Sequence, residues 1–238
     1  LHPRVRRQRQ MCIRDRCHIE YQCEERTEMT KRQIAFLSIF LVLIIDQASK
    51  IWIKTHFTLG ESVVIFPWFR ILFIENNGMA FGIEILGKLF LSLFRVVAIA
   101  VIGYYLYRLT QRAVRYKNGF VICISLIFAG AMGNIIDSLF YGLIFSESTF
   151  YTVATFMPEG GGYAPFLYGK VVDMLYFPLF GFYWPKSMPF IGGEYFEFFH
   201  PIFNIADASI SVGVIVLILF YRHTFSSSLS ELFPSKSK

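Results

Sequence analysis

Four stretches of this chain are long and apolar: Ile34 to Ile53, Leu89 to Tyr107, Gly119 to Ile136 and a last run, Ile210 to Tyr221, whose mouth begins at Ile205. A helix needs about 20 apolar residues to cross a bilayer core. Lipid offers no hydrogen-bond partners to a polypeptide backbone, so helices and closed barrels are the forms that cross. The pattern therefore predicts an all-α polytopic membrane protein with four transmembrane helices, at about 34–53, 89–107, 119–137 and 205–222. The last is short by a few residues for a perpendicular crossing. Of the 238 residues 55% are hydrophobic and only 17% charged, which a soluble domain of this length rarely shows.

The segments between the spans differ from one another. Phe57 to Lys88 contains Val63-Val64-Ile65-Phe66 and Phe69 to Ile74, split by Pro67, and then Asn77-Gly78 between apolar flanks, a strong short hairpin signal. A small β-sheet is expected there, on one side of the membrane. Leu143 to Ile202 is long for a loop, aromatic-rich, and carries a flexible tip at Glu159-Gly160-Gly161-Gly162. Loops of that length are usually functional or mobile. Its aromatics, such as Phe150, Tyr151, Phe180, Tyr183 and Trp184, read as interfacial anchors that cover a site. Residues 1–28 are basic, polar and aperiodic, and read as a non-native or disordered extension; residues 29–238 read as a single membrane domain. Cys12, Cys17, Cys23 and Cys123 have neither zinc nor disulfide-framework spacing, and no HExxH occurs, so no metal site is expected.

The net charge of +6 is unevenly placed, and its placement sets orientation rather than suggesting a nucleic-acid partner. Lys31 and Arg32, the Arg108–Lys117 loop, and Arg222 with the tail all fall on one side, which the positive-inside rule makes the cytoplasm. Both termini are then cytoplasmic. Asp46 falls at the outer end of span one, Asn76 in the first outer loop, Asp137 at the outer end of span three, Asp173 in the long outer loop and Asp207 at the outer start of span four. Five polar residues from distant sequence converge on one membrane face.

An acid at the lip of a membrane helix is expensive without work or a partner. Asp207, in Phe203-Asn204-Ile205-Ala206-Asp207, and Asp173, in Gly169-Lys170-Val171-Val172-Asp173, read as one catalytic pair. Each also has a plainer reading: Asn204 and Asp207 have capping-box spacing, and Asp173 alone would pass as a solvated loop acid. Asp46 and Lys50, four apart with the acid first, form either a self-neutralising pair or an anchor beside the site. Asn76 is either turn chemistry or an amide facing a substrate backbone.

These stretches, with Asp46-Gln47-Ala48-Ser49-Lys50, Asn76-Asn77-Gly78-Met79-Ala80-Phe81 and Gly133-Asn134-Ile135-Ile136-Asp137, resemble the lipoprotein signal peptidase (signal peptidase II) family, in its order and across residues 34–222. The resemblance implies an aspartic endopeptidase that removes the signal peptide from diacylglyceryl-modified prolipoproteins at the outer face of the bacterial cytoplasmic (inner) membrane. It places the catalytic aspartates on Asp173 and Asp207, and the supporting or substrate-binding residues on Asp46, Lys50, Asn76, Gly78, Asn134, Asp137 and Asn204. It implies lipid-modified prolipoproteins, membrane lipids and peptide-like inhibitors of the globomycin type as partners. Two carboxylates suffice for amide hydrolysis, one taking a proton from water and the other giving one to the carbonyl oxygen, so no metal or cofactor is implied. Ser138 stands where the family usually has Arg, and the outer loop is longer than typical.

The rival reading is a small ion- or proton-coupled transporter, for which intramembrane acids are the usual sign. The acids here lie at one face, not the midplane, and no inverted repeat is visible. The orientation has a direct test. Single cysteines at Gly161 and Ser227 should be labelled by an impermeant reagent from opposite sides, with Ser227 protected in intact cells; outside labelling of Ser227 overturns the four-span arrangement.

Overall fold

The computed structural model describes residues 29–76, 87–111 and 116–232. The N-terminal extension 1–28, the Asn77-Gly78 turn with the candidate residue Gly78, and Arg112 and Arg115 lie outside the described residues.

Helix α1, Lys31–His56, begins at a capping box: the Thr30 hydroxyl accepts from the Gln33 amide, and the Gln33 side chain accepts from the Thr30 amide. Its inward stripe is polar. Asp46, Lys50 and Lys54 are fully buried, while Phe36, Phe40, Ile44, Ile45 and Trp52 are exposed. That inversion of the usual amphipathic pattern suits a lipid surround. Helix α2 spans Gly87–Gln111. Helix α3, Asn118–Ile136, continues through a single π-helical turn at Asp137–Tyr141 and a short helical stretch to Ile144. Such turns cluster at functional sites. The expected end of span three at residue 137 is thus a change of winding, not a terminus.

Helix α4 is Ile205–Phe220, and α5, Arg222–Leu232, leaves it at 91°. The bend replaces the straight run to residue 222 and turns part of the serine-rich tail into helix. α1, α2 and the extended α3 are each long and apolar enough to cross a membrane; α4 is counted as a fourth only together with α5. At 1.5 Å per residue, its 16 residues rise only about 24 Å. α3 is the central helix, packed against α4 and α1. The close approach to α4 depends on Gly130, where a Cβ would lie 2.2 Å from the Ala206 carbonyl oxygen.

The fold is not purely α. Strands β1 (Ser62–Phe66), β2 (Phe69–Asn76), β3 (Val171–Tyr176) and β6 (Ile202–Phe203) form an antiparallel sheet in the order β1-β2-β3-β6. β1 and β2 turn at Pro67-Trp68, and the sheet is completed by strands from the long loop that composition alone marks only as irregular. A second, two-stranded sheet pairs β4 (Phe180–Tyr183) with β5 (Tyr195–Phe198). Beneath the four-stranded sheet Ile53, Phe57, Phe73, Tyr141, Phe145, Val172 and Met174 form a buried cluster that joins it to α1 and α3.

The long loop is also fixed by charge. Buried Lys54 pairs with Glu75 and donates to Ser148 Oγ at 2.8 Å; Ser148 donates to Glu75 at 2.9 Å, and Lys170 lies 3.3 Å from the same carboxylate. Both ammonium groups lie over the Tyr163 ring, at 5.0 and 5.4 Å from its centroid. Helix, strand and loop are thereby tied together behind β3.

The α3–α4 contact gives a stability prediction. Gly130→Ala forces the helices apart and should destabilise the protein by about 1–3 kcal/mol, the usual range for overpacking. Gly160→Ala, where a Cβ meets nothing within 4 Å, should leave the unfolding midpoint in detergent unchanged. Equal midpoints for the two variants contradict this account of the contact.

Candidate active site

Lys50 is the hub of a buried polar cluster at the sheet end of the helices. Its Nζ lies 2.9 Å from Asp46 Oδ2 and 2.8 Å from Asp137 Oδ2, and donates to Asn134 Oδ1 at 3.0 Å. The i, i+4 spacing read from the sequence brings Asp46 and Lys50 together, but the pair is not self-contained, because the same ammonium serves a second carboxylate on α3. Gln47, which the sequence pattern gives no separate role, links both acids: its Nε2 donates to Asp46 Oδ2 and to Asp137 Oδ1, each at 3.0 Å, and its carbonyl accepts from the Tyr141 hydroxyl at 3.1 Å. The π turn is what presents both Asp137 and Tyr141 to α1.

Asp46 also reaches α4. Its Oδ1 accepts the Ala206 amide at 2.9 Å, so a side chain of the first helix satisfies one of the unpaired donors at the start of the last. A Cβ at Gly133 would lie 2.6 Å from Asp46 Oδ2, so the glycine makes room for this crossing.

The second layer is made of amides. Asn134 Oδ1 accepts from Lys50 and from Asn204 Nδ2 at 3.1 Å, which leaves its own Nδ2 to donate to Asp207 Oδ1 at 2.7 Å. Two donors at one oxygen fix the orientation of the amide. Fully buried Asn204 donates to Asp173 Oδ1 at 2.7 Å and to the Val172 carbonyl at 3.2 Å, while its Oδ1 accepts the Asp207 amide at 2.9 Å. Asp207 Oδ2 accepts the Asn204 amide at 3.4 Å, completing the capping box that the spacing suggested. Capping and contact with the acids are therefore the same set of bonds. Asn76, at the end of β2, donates to Asp173 Oδ2 at 3.4 Å.

Asp173 and Asp207 meet across Asn204, but in different surroundings. Asp173 lies on β3, 3% exposed, and burial first, with the Asp207 charge second, pushes its carboxyl up to about 7 against the pull of the Asn204 and Asn76 amides. Asp207 lies in the first turn of α4, where its carboxylate accepts from the Asn134 side-chain amide and the Asn204 backbone N–H. Of the residues singled out in the sequence, Asp46, Lys50, Asn76, Asn134, Asp137, Asp173, Asn204 and Asp207 all fall in this one network. Arg95 stands alone as a charge within span two, Leu89 to Tyr107. From α2 it donates to Ser138 Oγ at 3.4 Å, and its charge acts on Asp207, Asp137 and Asp173. A lone arginine in an apolar run is the signal that points to it.

Apolar helices that carry paired carboxylates over a buried ionic cluster at one end are the build of a membrane enzyme. A solved bacterial membrane enzyme resembles the chain with a TM-score of 0.50 and 28% identity, covering 78% of this chain and 90% of the other. The family model described as signal peptidase (SPase) II matches residues 38–222, and the chain belongs to that family of aspartic peptidases. The chain is 53% identical over 188 residues to a lipoprotein signal peptidase of Porphyromonas gingivalis, covering 79% of this chain and 82% of the relative. It is 34% identical over 210 residues to that of Amoebophilus asiaticus, covering 85% and 84%.

The ionic cluster predicts a graded loss of stability. Lys50→Met leaves Asp46 and Asp137 buried against each other and should cost about 3–5 kcal/mol. Asp46→Asn keeps an oxygen for the Ala206 amide and should cost distinctly less. The comparison is of unfolding midpoints in detergent; the reverse order contradicts the assignment of Lys50 as the hub.

Proposed function

We propose that this chain removes signal peptides from diacylglyceryl-modified prolipoproteins, with Asp173 and Asp207 as the catalytic pair. The observation that carries the reading is the Asn204 side chain, which donates to the Asp173 carboxylate at 2.7 Å and accepts the Asp207 backbone amide at 2.9 Å, with the Asp173 carboxyl pushed up to about 7 by burial and the Asp207 charge. Asp207 takes a proton from the attacking water, and Asp173 gives its proton to the scissile carbonyl oxygen. Two close carboxylates sharing one proton is the general logic of aspartic peptidases, a worked case in the physical chemistry of acid pairs. Asn76 and Asn204 orient Asp173; Asn134 orients Asp207; Lys50, Asp46 and Asp137 hold the frame on which both amides rest. Peptide-like inhibitors of the globomycin type would take the substrate's place beside the pair.

The site faces outward from the bacterial cytoplasmic membrane, with both termini inside and residues from 29 onward forming one peptidase domain. Supporting this, Lys31 hydrogen-bonds Asn118 and Arg32 hydrogen-bonds Gln111. The cationic start of α1, the end of α2 and the start of α3 therefore share the end opposite the sheet. Acyl chains on the substrate cysteine anchor the scissile bond at the outer leaflet, at the depth where the acids lie.

Asn keeps the shape of Asp and removes the proton chemistry, so Asp173→Asn and Asp207→Asn should each abolish cleavage of a lipidated precursor by folded protein, with the double variant hardly worse. Near wild-type turnover by either variant overturns the pair.

The pH profile is a second test. With Asp173 at about 7, the required proton is present below that pH, and kcat/KM should fall as pH rises through it. The Asn76 amide favours the ionised form, so Asn76→Ala should move this alkaline limb to higher pH. A limb that moves down assigns the limb to another group.

A further inference from the structure

The β4–β5 hairpin lies outside the catalytic network and is divided by chemistry between its two faces. Antiparallel pairing puts Phe180 opposite Phe198 and Phe182 opposite Phe196, and these pairs alternate with Gly181 opposite Glu197 and Tyr183 opposite Tyr195. Side chains alternate along a strand, so one face carries four phenylalanines and the other carries tyrosines and a carboxylate. On the first face the Phe180 and Phe198 rings stack at 4.7 Å, Phe182 and Phe196 lie at 5.2 Å, and Trp184 closes the row 5.0 Å from Phe182. All four phenylalanines are exposed, and Phe190 at the tip is fully so. On the second face Tyr183 and Tyr195 pack at 4.9 Å and Glu197 accepts from the Tyr176 hydroxyl.

An isolated two-stranded ribbon is marginal in water, and a contiguous aromatic face of this size marks a surface that meets something apolar. We infer that the Phe180–Phe182–Phe196–Phe198 face lies on the outer leaflet, seated at the headgroup–acyl boundary with Trp184, while the Tyr–Glu face stays in water. The hairpin is continuous with the membrane-entering part of the chain: β5 leads through β6 directly into apolar α4. A two-stranded sheet has two open edges, which hydrocarbon does not tolerate. The interface, where tryptophan and tyrosine accumulate, satisfies both faces. The hairpin joins the strand of Asp173 to the helix of Asp207, so its seating sets the depth of both acids relative to the lipid.

The test uses the full chain with Trp52→Phe and Trp68→Phe, which leaves Trp184 as the sole tryptophan of the three, in phosphatidylcholine–phosphatidylglycerol vesicles. Trp184 should emit in the blue. Lipids brominated high on the acyl chain should quench it more than lipids brominated near the chain end, with little effect of aqueous iodide. Phe190→Ser, a change at an exposed tip that leaves the ladder intact, should reduce the bromolipid quenching without moving the unfolding midpoint. Quenching of Trp184 by iodide and not by bromolipid overturns the inference in favour of a solvated hairpin. Protection from both quenchers overturns it in favour of a protein contact. None of these readouts depends on cleavage, so a failure here is distinct from a failure of the catalytic pair.

Discussion

The ammonium of Lys50 is the charge on which the rest of the site depends. An ion of this kind buried in an apolar helix bundle is costly unless its attractions and hydrogen bonds are nearly all satisfied. Here two carboxylates and an amide oxygen meet it, one from its own helix and two from α3. The amide oxygen is the informative partner. By fixing which way Asn134 points, Lys50 determines which atom of that amide faces Asp207. Asn204 is oriented by the same oxygen, and it in turn reaches Asp173. A cation that touches neither proposed catalytic acid therefore sets the geometry of both, through two rigid amides.

The unlike surroundings of Asp173 and Asp207 follow from secondary structure. On β3, inside the four-stranded sheet, Asp173 is nearly cut off from water and accepts from the Asn204 and Asn76 amides. In the first turn of α4, Asp207 accepts from one backbone amide, that of Asn204, and from the Asn134 side chain. The backbone each stands on thus sets which groups its side chain meets, and burial beside the Asp207 charge raises the Asp173 carboxyl, as a proton-sharing pair requires.

Much of this was legible in the sequence because membranes impose simple rules. The apolar runs gave the helix starts to within a few residues, though the third helix runs on past residue 137 to Ile144, and each acid at the lip of a run belongs to the cluster. The Asn204–Asp207 spacing gave the start of α4 directly. What stayed hidden was local winding and non-local pairing. Nothing in Asp137-Ser138-Leu139-Phe140-Tyr141 announces a π turn, since its period differs from that of an α-helix by less than one residue. β3 and β6 are short, come from a loop whose composition is merely aromatic, and become strands through pairing with β2, distant in sequence. Gln47, Lys54, Glu75 and Arg95 were visible as polar residues in apolar or strand contexts, but only the assembled fold shows which charges they meet.

The right-angled break after Phe220 leaves α4 as a peg shorter than the layer it would cross. In the proposed four-span arrangement, a core of about 30 Å against a helix of about 24 Å leaves a hydrophobic mismatch of roughly 6 Å, which thinning of the bilayer around that helix would relieve. Asp207 stands in the first turn of the same peg. Thinning there would lower the headgroups toward the acid and draw in the glycerol backbone of a lipid attached to a substrate. Membrane thickness would then be a variable of catalysis, sensed through the length of one helix rather than through any contact with the peptide being cut.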